Sequence, residues 1–355
     1  ADIVLVRVTL DGGAIGLGEA APSIVAGASG PGSGEDRNNV FNGLRCAVPA
    51  LLGMDAGDPV TIASALQESS PGCSSARAAL EMAIEDAFSR EAGISCRSLS
   101  GEAEASLRTD WTIPTGDIDH ARISATRIAA AGFGTIKVKV GDGDIEQDVS
   151  RLEAIVRAAP GCKLIADGNG GFDADDAIAL IEELSGRGVT LDLLEQPVPG
   201  EDLDALARVT EAIETTVCAD EAVRSVADVE RVIRSRAAGA INVKVMKSGL
   251  CVARAMARKA REGGLGLMIG GMVESILAMT VSAHLASGMG GFRWIDLDTP
   301  FFIGDHPFTG GFTAEGDLLE LPHGPGHGVE LVGELAGWRC WQELDDSGGG
   351  KEGIR

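Results

Sequence analysis

Basic residues are scarce in this chain: 30 lysines and arginines stand against 53 aspartates and glutamates, for a formal charge of −23. That deficit argues against nucleic acid or an anionic membrane as partner, because both are bound through basic surface. Long apolar runs are missing too. None approaches the roughly 18 residues of a spanning helix, and no basic segment followed by an apolar one opens the chain, so neither a membrane span nor a secretory signal is expected. The seven cysteines include no CxxC pair and form no even framework. A disulfide scaffold is therefore not expected, and a reducing compartment, the cytoplasm, is the simpler inference. Cys162 and Cys218 sit in or beside strand-like runs, where a thiol is usually a small core residue.

What is present is ample material for a core. The chain has 355 residues, of which 45% are hydrophobic, a length that suits one barrel of about 250 residues and a smaller domain. The run Ile3-Val4-Leu5-Val6, a turn at Asp11-Gly12-Gly13 and the resumption at Ala14-Ile15 read as an antiparallel hairpin. Residues 20–39 are rich in Gly, Ala, Ser and Pro and read as a mobile loop, favoured as a lid. Two helices are expected over 38–52 and 74–91; with the hairpin they make a small α+β domain over 1–104. From Leu107 the pattern alternates strand and helix, with strands at 107–113, 134–140, 163–167, 191–195, 217–220, 240–245, 265–270 and 293–297. Eight such strands joined by seven helical crossovers predict a (βα)7β modified TIM barrel over 105–298, because parallel neighbours need crossovers and eight strands close without an edge. The helix that would complete the eighth unit is missing. Residues 299–338, rich in Gly, Pro and Phe, are expected to return to the first domain's sheet, and the polar 339–355 to be disordered.

Three of these strands end in acid. Leu164-Ile165-Ala166-Asp167, Leu193-Leu194-Glu195 and Val217-Cys218-Ala219-Asp220 are consecutive, and the next strand, Ala240-Ile241-Asn242-Val243-Lys244, ends in a base. Three carboxylates at neighbouring strand ends repel one another unless a cation sits between them, and hard oxygen ligands suit Mg²⁺. Strand alternation turns Lys137 and Lys139 to the same inward face. In a ring of eight, strands 2 and 6 stand on opposite sides, so a carboxylate substrate held at the metal would have its α-carbon between two amines. Such a pair suits proton removal on one face and proton return on the other, which inverts the carbon.

The set Thr135-Ile136-Lys137-Val138-Lys139, Asp167-Gly168-Asn169, Glu195-Gln196-Pro197, Asp220-Glu221 and Asn242-Val243-Lys244-Val245-Met246-Lys247-Ser248-Gly249 closely resembles the muconate lactonizing subgroup of the enolase superfamily. The use of a Lys or His base with Mg²⁺ is how that superfamily is generally described. The resemblance implies Lys139 and Lys244 as the acid/base pair, Lys137 as a binder of the substrate carboxylate, and one Mg²⁺ per subunit on Asp167, Glu195 and Asp220. The mandelate racemase branch, with its strand-7 histidine, is disfavoured by Leu267-Met268-Ile269-Gly270-Gly271. Asp296 and Asp298, an Asp-x-Asp on strand 8, look like the pair that binds the free amino terminus in dipeptide epimerases, and are expected to face the mouth opposite the metal. Thr112 and Gly271 complete the expected substrate-binding set. An anionic pair there counts against muconate cycloisomerase, o-succinylbenzoate synthase and N-acylamino acid racemase activities. The implied protein is a homo-oligomeric isomerase acting on a small-molecule dipeptide; a non-catalytic ligand-binding barrel is the alternative of another class. The family's cap opens with a strand ahead of Ile3, so the resemblance also leaves open a truncated or misannotated start. Residues 20–36 contain no base, which leans substrate choice away from acidic side chains, toward apolar or cationic ones.

Overall fold

Eight short apolar runs become eight parallel strands of one curled sheet. The structure is a computed structural model that describes residues 3–22, 35–103, 106–304 and 306–333, and the backbone of 341–343 and 351–353. Trp111–Ile113, Thr135–Lys139, Lys163–Asp167, Leu193–Glu195, Val217–Ala219, Ala240–Lys244, Gly266–Gly270 and Phe292–Ile295 lie side by side in chain order and are barrel strands 1 to 8 below. Strand 8 meets strand 1 through Asp110, whose amide donates to Ile295 O at 2.9 Å. Helices Ile118–Ala130, Ile145–Ala158, Ala174–Gly186, Leu203–Ala212, Val226–Ser235, Leu250–Glu262 and Ile276–Met289 form the crossovers. All but one begin on an Asp or Ser side chain that accepts a first-turn amide: Asp117, Asp144, Asp173, Asp202, Ser225 and Ser275. The exception follows Gly249, and there Glu81 of the cap accepts from Cys251 N at 2.8 Å. No helix among the described residues is long and apolar enough to cross a membrane.

The barrel interior explains where the charges go. Ile165, Leu193, Cys218, Ala240, Met268 and Trp294 pack together as its apolar floor. The period of two along a strand then lifts the next inward residue toward the C-terminal mouth. Those residues are Asp167, Glu195, Asp220, Asn242, Gly270 and Asp296.

In the cap, strands Val4–Thr9 and Ile15–Ala20 form the hairpin, and helix Ser74–Ala92 packs across it, buried along almost its whole length. Gly16 and Gly18 permit that approach, since a Cβ on either would run into the carbonyl oxygens of Ala83 and Ala79. Gly18→Val should accordingly destabilise the fold by about 1–3 kcal/mol, the usual cost of overpacking, read as a lower urea midpoint; an unchanged midpoint would contradict this packing. Helices Arg37–Leu51 and Pro59–Ser69 complete the layer. The second of these was not expected from the apolar pattern, although Asp58 caps it and Pro59 opens it.

Three expectations need correction. The run 107–113 is not one strand: Leu107–Arg108 pairs antiparallel with Leu318–Glu320, and only Trp111–Ile113 joins the barrel. The break falls where Thr109 N donates to Asp317 O and Asp110 N to Ile295 O, so adjacent amides serve different neighbours. The C-terminal segment does not extend the hairpin's sheet; among the described residues its strands pair with one another and with Leu107–Arg108. It reaches the cap instead by an isolated backbone bridge, Cys96 N donating to Gly326 O at 3.0 Å and Gly326 N to Ile94 O at 2.9 Å, and through side chains of the cap helix. His327 N donates to Asp86 Oδ1 at 3.0 Å, and Arg90 Nη2 to Val329 O at 3.1 Å. Within the tail expected to be disordered, Trp341–Glu343 pairs antiparallel with Lys351–Gly353, a hairpin held by backbone bonds that composition does not reveal. Most of the glycine-rich lid segment lies outside the described residues.

Where the eighth helix is absent, aromatic rings cover strand 1. Trp111 stacks on Phe301 at 5.5 Å between centroids and meets Phe133 edge-on at 4.9 Å.

Candidate active site

The acids of strands 3 and 4 are register partners, Asp167 beside Glu195, and both are fully buried. Asp220 follows strand 5 at the same end, also buried. Four lysines neutralise them. Lys137 Nζ lies 3.0 Å from Asp167 Oδ2, 2.7 Å from Glu195 Oε2 and 2.7 Å from Asp296 Oδ2. Lys139 Nζ donates to Asp167 Oδ2 at 2.6 Å and to Asn169 Oδ1 at 2.9 Å. From the far side, Lys244 Nζ lies 2.6 Å from Asp220 Oδ2. Lys247 Nζ donates to Asp220 Oδ1 at 2.5 Å, to Asp220 O at 2.7 Å and to Asn242 O at 2.9 Å.

Burial and charge compete at each group. On Glu195 burial wins, with the Asp167 charge adding to it, and the carboxyl rises to about 7. On Asp167 burial acts the same way, but Lys137, Lys139 and Lys244 overcome it and hold the carboxyl well below the usual range. Lys244 and Lys247 do this for Asp220. Burial would lower Lys244, yet Asp220 and Glu195 hold it above the ordinary lysine range. Lys247 falls, because burial, helped by the neighbouring Lys244 charge, outweighs Asp220.

On strand 8 the structure departs from expectation. Asp296 was expected to face the mouth opposite the metal acids, but it shares Lys137 with Asp167 and Glu195. One buried ammonium close to three carboxylates is a better arrangement than a free anion at the mouth. Asp298 lies just beyond, its Oδ2 accepting from Thr112 N at 2.6 Å. Thr112 thus meets the site through its amide. Gly271 follows strand 7, where a Cβ would collide with Met279 and crowd Glu274 Oε1.

Several residues here have roles that the sequence alone does not assign, although Asn169, Gln196 and Asn242 stand in its motifs. Gln196 Oε1 accepts from Asp220 N at 2.8 Å and Ala222 N at 3.1 Å, tying strand 4 to strand 5. Asn242 Nδ2 donates to Glu195 Oε1 at 2.7 Å. Asn169 and Gln196 both have positive φ, 42° and 30°, a backbone conformation that non-glycine residues adopt chiefly where neighbours over-determine it. Glu274 is fully buried and pushed up to about 8 by that burial. Asp110 is as deeply buried, and one carboxylate oxygen from each of Asp110, Asp296 and Asp298 lies within 4.8 Å of the other two.

The enolase C-terminal domain-like family matches residues 120–335. The chain belongs to the enolase superfamily. Within that superfamily it is an isomerase of the racemase and epimerase kind. It is 44% identical over 329 residues to the aromatic dipeptide epimerase of Herpetosiphon aurantiacus, covering 93% of this chain and 91% of that one. It is 39% identical to the hydrophobic dipeptide epimerase of Citrifermentans bemidjiense, covering 92% and 89%. Among solved enolase-superfamily structures, the dipeptide epimerase from Enterococcus faecalis complexed with Mg and the dipeptide L-Leu-L-Tyr superposes with a TM-score of 0.87 at 30% identity, covering 93% of this chain and 92% of that one.

Proposed function

We propose that this chain is a dipeptide epimerase that inverts the α-carbon of the C-terminal residue, with Lys139 and Lys244 as the two bases and Mg²⁺ held by Asp167, Glu195 and Asp220. The observation that carries the reading is the pair of lysines on strands 2 and 6, each against a different carboxylate of one set. Relatives named as dipeptide epimerases support it.

Two acid groupings are candidates for the cation, and they differ in the acids that lysines hold ionised. Asp167 and Asp220 of the first set are kept ionised by lysines, although its third member, Glu195, rises to about 7. Asp298 is pushed up to about 7, first by burial and then by Asp296, and Asp110 is raised by the same causes. Ionised, buried, hard oxygens are what Mg²⁺ selects. Beside the first set, Glu221 Oε2 and Asn242 Oδ1 are buried without a hydrogen-bond partner. The residues therefore fit the ion. When bound, it would supply positive charge to the substrate carboxylate, where the charge of the deprotonated substrate gathers.

The remaining chemistry belongs to the chain. A neutral lysine takes the α-proton, and the C–H electron pair moves into the substrate's own carboxylate as an enediolate. The opposite lysine, as an ammonium, returns a proton to the other face, so the two lysines exchange protonation states in each turnover. Lys244, held protonated by Asp220 and Glu195, is the acid in one direction, and Lys139 is then the base. Lys137 would bind the substrate carboxylate, which requires it to release one of its three present partners. Asp296 and Asp298 would receive the α-ammonium. With no base in residues 20–36, and with aromatic and hydrophobic dipeptides named for the two relatives above, the preferred side chains are apolar or aromatic.

A mass-spectrometric screen of pooled dipeptides in D₂O, with and without Mg²⁺, tests the reading. Deuterium should enter the C-terminal residue of apolar dipeptides only when Mg²⁺ is present; incorporation into none would overturn it. The ammonium pocket also predicts a pH dependence. Asp298 must be ionised to attract the substrate, so KM should rise as pH falls below about 7, approaching tenfold per unit. Above about 8 the dipeptide's own amine loses its charge and KM rises again. A KM that stays level from about pH 8 to about pH 5.5 would contradict this role for Asp298.

A further inference from the structure

Asp110 has no part in the reading above, yet it is among the most enclosed acids of the molecule. It is 1% exposed, and neither of its carboxylate oxygens accepts a hydrogen bond from any donor. An ionised carboxyl left so would cost several kcal/mol. The chain holds it there firmly: Asp110 N donates to Ile295 O, and Thr109 Oγ1 accepts from Leu297 N at 3.0 Å, so strand 1 is pinned against strand 8 on both sides of Asp296. Alternation then turns Asp110 and Thr112 toward the same face as Asp296 and Asp298. Thr112 N engages Asp298, and Asp110 is left facing Asp296 within hydrogen-bonding reach.

We propose that Asp110 is a positioning residue of the ammonium pocket: it stays a neutral carboxylic acid and donates its proton to Asp296, so that two anions rather than three face the substrate's amino terminus. The inference rests on the dipeptide reading for its consequence, though not for its chemistry. The charged groups around Asp110 are Asp296, Asp298 and Lys137. Burial and the two aspartates raise its carboxyl, and Lys137 does not offset them. One oxygen of Asp296 is taken by Lys137 at 2.7 Å. A donor from Asp110 fixes the carboxylate from a second direction, as a rigid pocket requires. A third anion would also compete with the substrate for Lys137.

The test compares Asp110→Ala with Asp110→Asn, whose amide N–H can replace the acid's O–H. With an apolar dipeptide, Asp110→Ala should raise KM roughly tenfold or more while kcat changes far less, and Asp110→Asn should recover most of that loss. If Asp110→Asn costs as much as Asp110→Ala, Asp110 acts as an anion and the proposal fails. Should the alanine variant not fold, infrared difference spectra of the parent and Asp110→Asn near pH 7 decide the matter without turnover. The C=O stretch of a protonated carboxylic acid should disappear with the substitution; loss of a carboxylate band instead overturns the proposal. Absence of turnover on every dipeptide would defeat the functional reading, while the infrared result would still settle where the proton lies.

Discussion

Lys244→Ala should lower epimerisation by about 10²–10⁴-fold, the range that a positioned general acid or base contributes, and should do so unevenly. Lys139 remains in the variant, so the epimer whose α-hydrogen faces strand 2 should still exchange that hydrogen with solvent. The other epimer should exchange nothing. Lys139→Ala should show the reverse preference. The asymmetry follows from the placement of the two amines, Lys139 against Asp167 and Lys244 against Asp220, on strands four apart in an eight-stranded ring. Following the α-proton of each epimer by NMR in D₂O reads it directly. Equal loss of exchange from both epimers in both variants would mean that the lysines do not work on opposite faces.

Removing the metal should have an effect at least as large. Treatment with a chelator should stop epimerisation, and Mg²⁺ should restore it, because the enediolate's second negative charge otherwise develops in a pocket already holding Asp167 and Asp220 as anions. Asp220→Asn should lower both the metal affinity and the turnover. Lys244 and Lys247 would both lose their carboxylate partner, but each could still donate to the new amide oxygen, and Lys247 would keep the carbonyls of Asp220 and Asn242. Equilibrium dialysis with Mn²⁺ as the probe separates loss of metal from loss of catalysis. Full activity in the chelated enzyme would contradict the metal assignment.

Much of this site is legible in the sequence because a barrel strand constrains its inward residues with a strict period. Once Ile165, Leu193 and Cys218 are read as inward and apolar, Asp167, Glu195 and Asp220 must lie one layer higher, and the same rule places Lys137 and Lys139 together. What a single strand cannot reveal is who stands across the barrel. Lys137 is an inward lysine in the sequence, but its engagement by Asp167, Glu195 and Asp296 joins residues from strands 2, 3, 4 and 8. Asp110 was hidden for a related reason. The run 107–113 has strand-like composition throughout, and its division depends on Asp317 and Ile295, far off in sequence. The pairing of Leu318–Glu320 with Leu107–Arg108 is equally non-local. Helix Pro59–Ser69 is different: Asp58 and Pro59 mark its start in the sequence itself.

The central claim is that two opposed amines handle one α-carbon, and the stereochemical course of labelling tests it most directly. An apolar dipeptide of either configuration at its C-terminal residue is incubated in D₂O with the enzyme and Mg²⁺, and early product and recovered substrate are analysed separately. The account predicts that the inverted product carries solvent deuterium from its first appearance, from both directions, because the proton returned comes from the opposite lysine and not from the one that took the α-hydrogen. Inverted product that retains the substrate's own α-hydrogen would contradict it.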